Sequence, residues 1–168
     1  MHALGILLAA LPCASQAPPD GPWAIDSDRG SLIVTQSAAV TWPGPDGEPA
    51  EKPELVLRCA GGEKEVYLYF AYGFPSKDGD LFVQFEGDTA KPKKYWGAPS
   101  HDGRSFFVTG FWTRGTDGFV KSLLESKSRT VAITVKPKKK EPLPEVRFDL
   151  AGLDAALGDW LRECPLRK

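Results

Sequence analysis

The sequence predicts a mainly β protein: an antiparallel sandwich or strongly curved sheet with two short helices, the last of them packed on the sheet. Three observations predict it. Most of the chain beyond residue 22 alternates apolar and polar side chains with period two, in seven or eight short runs. Turn-forming residues separate those runs, from a chain that holds 17 Gly and 15 Pro. Only two stretches instead repeat their apolar residues with the period of a helix.

Leu32-Ile33-Val34-Thr35 reads as a short strand and Ala39 to Trp42 as another, followed by an exposed loop over Pro43 to Pro49. Leu55 to Cys59 is a strand, Gly61-Gly62 a tight turn, and Glu65 to Tyr72 the returning arm of a hairpin. In that arm Val66, Leu68, Phe70 and Tyr72 share one face and Tyr67 and Tyr69 the other. Apolar bulk on both faces predicts a central strand covered twice. Asp78-Gly79-Asp80 turns the chain into Leu81 to Phe85. Arg104 to Thr109, Thr130 to Val135 and Glu145 to Leu150 supply three further strands.

The first helix is expected after a cap at Thr116 or Asp117, with Phe119, Val120, Leu123 and Leu124 on one face. The second is expected from about Leu153 to Glu163. Its Leu153, Leu157, Trp160, Leu161 and Cys164 form a single stripe suited to lie on the sheet.

Ahead of the fold, residues 1–17 have the outline of a secretory signal peptide: an apolar core from Leu4 to Leu11, the breaker Pro12, and small residues at Ser15 and Ala17. A lipoprotein reading through Cys13 is disfavoured by the proline directly before it. Residues 18–22 read as a linker and residues 23–165 as a single β-rich domain. These segments place the protein in the periplasm or outside the cell. Cleavage after Ala17 would leave two cysteines, Cys59 and Cys164, an even number in an oxidising compartment. They are expected to pair, the alternative being two separately buried thiols. A bond would close most of the mature chain into one loop and contribute about 4–5 kcal/mol in the chain-entropy model.

The 168 residues carry 21 Lys+Arg against 22 Asp+Glu. That balance argues against a nucleic-acid coat protein, and no apolar stretch approaches the ~20 residues that span a bilayer. Reacting groups are sparse. His101 is the one imidazole left after export, in what reads as a solvated turn. Asp26-Ser27-Asp28-Arg29-Gly30 opens like a calcium loop but lacks the closing ligands, and no zinc set can be assembled. No metal or cofactor is expected. Two features remain for recognition. Lysine runs at residues 91–94 and 136–140, including Lys93, Lys94, Lys138 and Lys139, sit where hairpin loops are expected and would form a basic tip if they met. Trp42, Trp96 and Trp112, with Trp23, border loops and offer indole faces to a glycan or peptide.

Taken in order, Trp23, Leu55 to Cys59, Glu65 to Leu68, Trp96, Ser100-x-Asp102-Gly103, Phe119 to Leu124, Val146 to Leu153 and the closing Cys164 resemble the VasI-type small exported proteins associated with type VI secretion. The resemblance spans roughly residues 22–165. It implies export and a shared β module, with no family catalytic residues to carry over. The chain departs from the family pattern in going from leader to Trp23 without a further Cys-containing segment. Sequence and resemblance together predict a non-catalytic exported binding or accessory module of the cell envelope. Its expected partners are another envelope protein or a glycan or peptide ligand. The alternatives are a small secreted hydrolase acting through His101 or a stand-alone glycan- or peptide-binding domain.

Overall fold

The computed structural model describes residues 21–39, 41, 51–72, 78–109, 114–138 and 142–167. The expected signal peptide, residues 18–20 of the linker, Trp42, Trp112, Lys139 and Lys140 lie outside the described residues.

Among the described residues nine strands form one hydrogen-bonded sheet: β1 (Ala24–Asp28), β2 (Ser31–Ser37), β3 (Glu54–Ala60), β4 (Glu63–Tyr69), β5 (Gly79–Phe85), β6 (Lys93–Pro99), β7 (Ser105–Thr109), β8 (Thr130–Pro137) and β9 (Val146–Asp149). Their order across the sheet is β1-β2-β3-β4-β7-β6-β5-β8-β9, and every pairing is antiparallel. The fold is therefore mainly β, as the period-two runs predict.

Side chains alternate as the sequence requires. Leu55, Leu57, Val66, Leu68, Phe106, Leu81, Val83, Ile133, Val135 and Phe148 all point to one face and form a single buried core. The sheet bends back on itself around that core. Gln36 of β2 bonds to the backbone of Asp149 in β9, although these strands lie seven steps apart in the sheet. A flat sheet would separate them by about 34 Å at roughly 4.8 Å per strand.

The described residues also form three short helices: α1 (Arg114–Leu124), α2 (Leu153–Ala156) and α3 (Gly158–Glu163). α1 rests on β7, β4 and β6, and α3 on β2 and β3. The expected last helix is thus two pieces, broken at Leu157 (φ −85°, ψ 0°) just before Gly158, a poor helix former. The apolar stripe survives the break. Leu153, Leu157, Trp160 and Cys164 are all buried, and i→i−4 bonds from Leu157 and Leu161 cross it.

Other expectations need correction. Neither Thr116 nor Asp117 caps α1; both lie inside it, where the Thr116 hydroxyl donates to the Val108 carbonyl. Residues 39 and 41 are not in a strand. Instead the amides of Ala38 and Ala39 donate singly to Pro53 and Arg147. β4 ends at Tyr69, leaving Tyr72 exposed. The Tyr67–Tyr69 face of this central strand is half-buried, less than the full cover expected, although Val56 beside Tyr67 on that face is buried.

Two strands carry no clear sequence signal. β1 is fully exposed and acidic, which masks any apolar alternation. It joins β2 through a turn in which Arg29 (φ 47°) and Gly30 (φ 77°) both adopt left-handed conformations. β6 contains half of a lysine run that looks like a loop. It also needs Gly97, because a Cβ there would lie 2.0 Å from the buried Phe106 ring.

Candidate functional site

The face of the sheet turned away from the core carries a second apolar row. Register pairs place Thr35 beside Val56, Val56 beside Tyr67, Tyr67 beside Phe107 and Phe107 beside Ala98. None of these side chains belongs to the central core cluster, although Val56 is itself buried. The Tyr67 and Phe107 rings sit 4.9 Å apart, tilted by 49°. At the end of the row stands Trp96, 69 % exposed, the most open large apolar side chain among the described residues.

β6 holds Trp96 in place through its neighbour. Tyr95 points inward, packs edge-on against Phe119 of α1 at 5.2 Å, and donates a hydrogen bond of 3.1 Å to Ser122 Oγ. Strand alternation then forces Trp96 outward. Asp80 of β5 and Thr109 of β7 flank it as register partners. Lys94, two residues back on the same face, pairs with Asp80 at 2.8 Å, both side chains remaining partly exposed.

The lysines are arranged differently from expectation. Lys93 and Lys94 lie on β6 and Lys136 on β8, not on hairpin loops. Both strands flank β5, so the two runs do converge. Two of their ammonium groups are paired where they meet: Lys94 with Asp80 and Lys138 with Asp78, each at 2.8 Å. The Asp78 carboxylate holds the Lys138 ammonium above the usual lysine range, by hydrogen bond first and charge second. Lys93 points to the other face, its ammonium 5.7 Å from the Phe85 ring centroid. Two of the lysines expected at the basic tip, Lys94 and Lys138, are thus held in ion pairs.

Lys93 borders a cleft of about 570 Å³ between the β5–β6 connection and the end of α1, lined also by Glu86, Asp88, Glu125 and Lys127. The Ser122 and Ser128 hydroxyls on its wall are committed to the carbonyls of Phe119 and Glu86. No sequence pattern marked this cleft, because its walls come from two connections distant in the chain.

The remaining candidates resolve individually. Trp23 and Trp160 are buried in the core, so Trp23 offers no platform. Cys59 and Cys164 form a disulfide, S–S 2.07 Å, tying the end of α3 to β3. Around His101 the Ser100 hydroxyl donates to Asp102 and accepts from the Ser105 amide, so Ser100 is not aimed at the imidazole. That bond, with the Arg104 amide, holds Asp102 below the usual carboxylate range. Asp26 and Asp28 lie on β1, and no cluster of three metal-ligating side chains occurs among the described residues. No described helix is long and apolar enough to cross a membrane.

Comparison with protein-family models, with curated proteins and with solved structures finds no match.

Proposed function

We propose that this protein is a non-catalytic, exported binding module of the cell envelope that acts through the outer face of its sheet around Trp96. One observation carries the reading: an indole 69 % exposed on a regular strand, at the end of a row of half-buried aromatic side chains. A soluble domain gains nothing from holding such a group in water, and exposed apolar rows mark contact surfaces. The disulfide supports an oxidising compartment. Lys94 and Lys138 are engaged by Asp80 and Asp78, which favours the unengaged indole as the recognition element. The resemblance of its motif order to VasI-type proteins makes type VI secretion the first setting to examine, and sheath and baseplate genes beside this one would support it.

The test is a pull-down from envelope extract at about 0.1 M and about 1 M salt, between which screening shortens from about 10 Å to 3 Å. Trp96→Ala and a Lys136→Ser/Lys138→Ser double variant run in parallel. A partner held in both salts by wild type and the lysine variant, and lost by Trp96→Ala, is the expected result. A partner that survives Trp96→Ala but is lost in high salt overturns the reading.

A further inference from the structure

We infer that the carboxyl-terminal strap, residues 165–167, is a gate over the Cys59–Cys164 disulfide, latched by Lys64 and Asp117. A thiol reaches the bond when the strap lifts locally, with the sheet still folded. The device is redox-sensitive and does not depend on what the outer face binds.

The position of Cys59 in the chain puts the bond at the rim of the core. Cys59 is the second-last residue of β3, next to Ala60 and the Gly61-Gly62 turn. A bond so near a hairpin tip is close to solvent, yet both cysteines are fully buried. Lys64 supplies part of the cover. It is the register partner of Cys59 on β4, so the two side chains share a face, with Cβ atoms about 4.5–5.5 Å apart. Its ammonium donates to the Pro165 carbonyl at 2.7 Å, directly after Cys164, and lies 2.6 Å from Asp117 Oδ1 of α1. The lysine stem therefore runs alongside the disulfide, from beside one cysteine to the residue after the other. Cys164 Sγ sits 3.4 Å from the Glu63 carbonyl oxygen, which closes the side toward the turn.

The strap itself is thin. Asp117 Oδ2 accepts from the Arg167 amide at 3.0 Å, and Leu166 packs partly buried against the core. Pro165 and Arg167 are exposed. Residues 165–167 belong to no strand of the sheet, so lifting them breaks no ladder bond. Segments held by few buried contacts open at lower free energy than the sheet that carries them. Lys64 and Asp117 are the strong point: their side chains are only 11 % and 8 % exposed, and removing either strands the other's charge.

Reduction through the open gate takes two steps. A thiolate of a dithiol attacks Cys164 Sγ, the sulfur on the strap side; the disulfide breaks, and Cys59 leaves as a thiolate that takes up a proton. The second thiolate of the reductant then attacks its own sulfur in the mixed disulfide and frees Cys164, which is protonated in turn. Two electrons pass to the protein, and the dithiol departs as a disulfide.

The experiment follows reduction of the folded, oxidised protein by dithiothreitol, with alkylation and intact mass counting the two thiols gained. Oxidised glutathione is the open reference. The wild-type bond should be reduced at least about tenfold more slowly than the reference. Urea below the unfolding range should change the wild-type rate by less than about twofold, because lifting three residues exposes little surface. Lys64→Met and Asp117→Asn should each speed reduction at least about tenfold. Gln36→Leu, near the other end of β2 from Leu32, the neighbour of Cys59, should leave the rate within about twofold. A wild-type rate that climbs steeply with urea, or that Gln36→Leu raises as much as Lys64→Met does, means reduction by global unfolding and overturns the gate. So does a wild-type bond reduced as fast as oxidised glutathione, or an unchanged rate in both latch variants. If neither latch variant folds, the urea dependence of the wild type decides alone.

Discussion

Gln36 and Asp149 exchange two hydrogen bonds of 2.7 Å each: the Gln36 amide donates to the Asp149 carbonyl, and the Asp149 N–H donates to the Gln36 side-chain oxygen. One buried side chain thus satisfies both polar groups of a backbone residue on the last strand, as a neighbouring strand would. This contact joins β2 to β9, seven steps apart in the strand order.

Gln36→Leu should accordingly cost more than its conservative shape suggests. It keeps the volume but leaves the Asp149 N–H and carbonyl without that partner, at about 1–3 kcal/mol. Chemical denaturation measures the loss. Amide exchange should show it concentrated in β9.

The carboxyl-terminal segment is fixed by more than the disulfide. The Lys64 ammonium lies 2.6 Å from Asp117 Oδ1 and donates to the Pro165 carbonyl, while Asp117 Oδ2 accepts from the Arg167 amide. Both side chains are nearly buried. Asp117→Ala should destabilise by about 3–5 kcal/mol because it strands the ammonium, whereas Lys64→Met with Asp117→Leu should cost far less. Urea melts of the two variants and the wild type decide this.

Much of this architecture is legible in the sequence. β3, β5 and β8 declare themselves by alternation, and the Gly61-Gly62 turn by its composition, with both glycines at positive φ. The Leu153–Cys164 stripe is legible as a buried face, although its break at Leu157 is not. What eludes a linear reading depends on neighbours. Lys93 and Lys94 look like one basic patch but point to opposite faces of β6, and Asp80, which answers Lys94, comes from another strand. The aromatic row is equally hidden, since Tyr67, Phe107 and Trp96 meet only through the order of β4, β7 and β6. The exposure of Trp96 itself follows from alternation once β6 is known to be a strand.

Gly97→Ala should invert the usual rule for strands, where alanine is better than glycine by about 0.5–1 kcal/mol. Here the added methyl meets the ring of the fully buried Phe106. A loss of about 1–3 kcal/mol is expected. Combining it with Phe106→Leu should cost less than the sum of the two single changes, and a double-mutant cycle tests that.

Burial, and then the Glu65 carboxylate, push the Tyr67 hydroxyl above the ordinary tyrosine value of 10.0, with Arg58 opposing. The group is harder to ionise in the folded state than in the unfolded one. Above the unfolded value the unfolded chain therefore holds fewer protons, and stability falls as pH rises. Tyr67→Phe should reduce this alkaline loss and remove the late component of an ultraviolet phenolate titration. Glu65→Gln should shift that component to lower pH.

The central claim, that the protein works through the outer sheet face around Trp96, is tested most directly by photo-crosslinking in cells that export it. A photoreactive residue replaces Trp96 or Phe107 in two variants, and Ile25 or Arg147 in two controls on other strands. An adduct with an envelope component, read as a mass shift, should form from positions 96 and 107 and be absent from 25 and 147. Adducts only from the control positions, or none from 96 and 107 in folded and exported protein, would contradict the account.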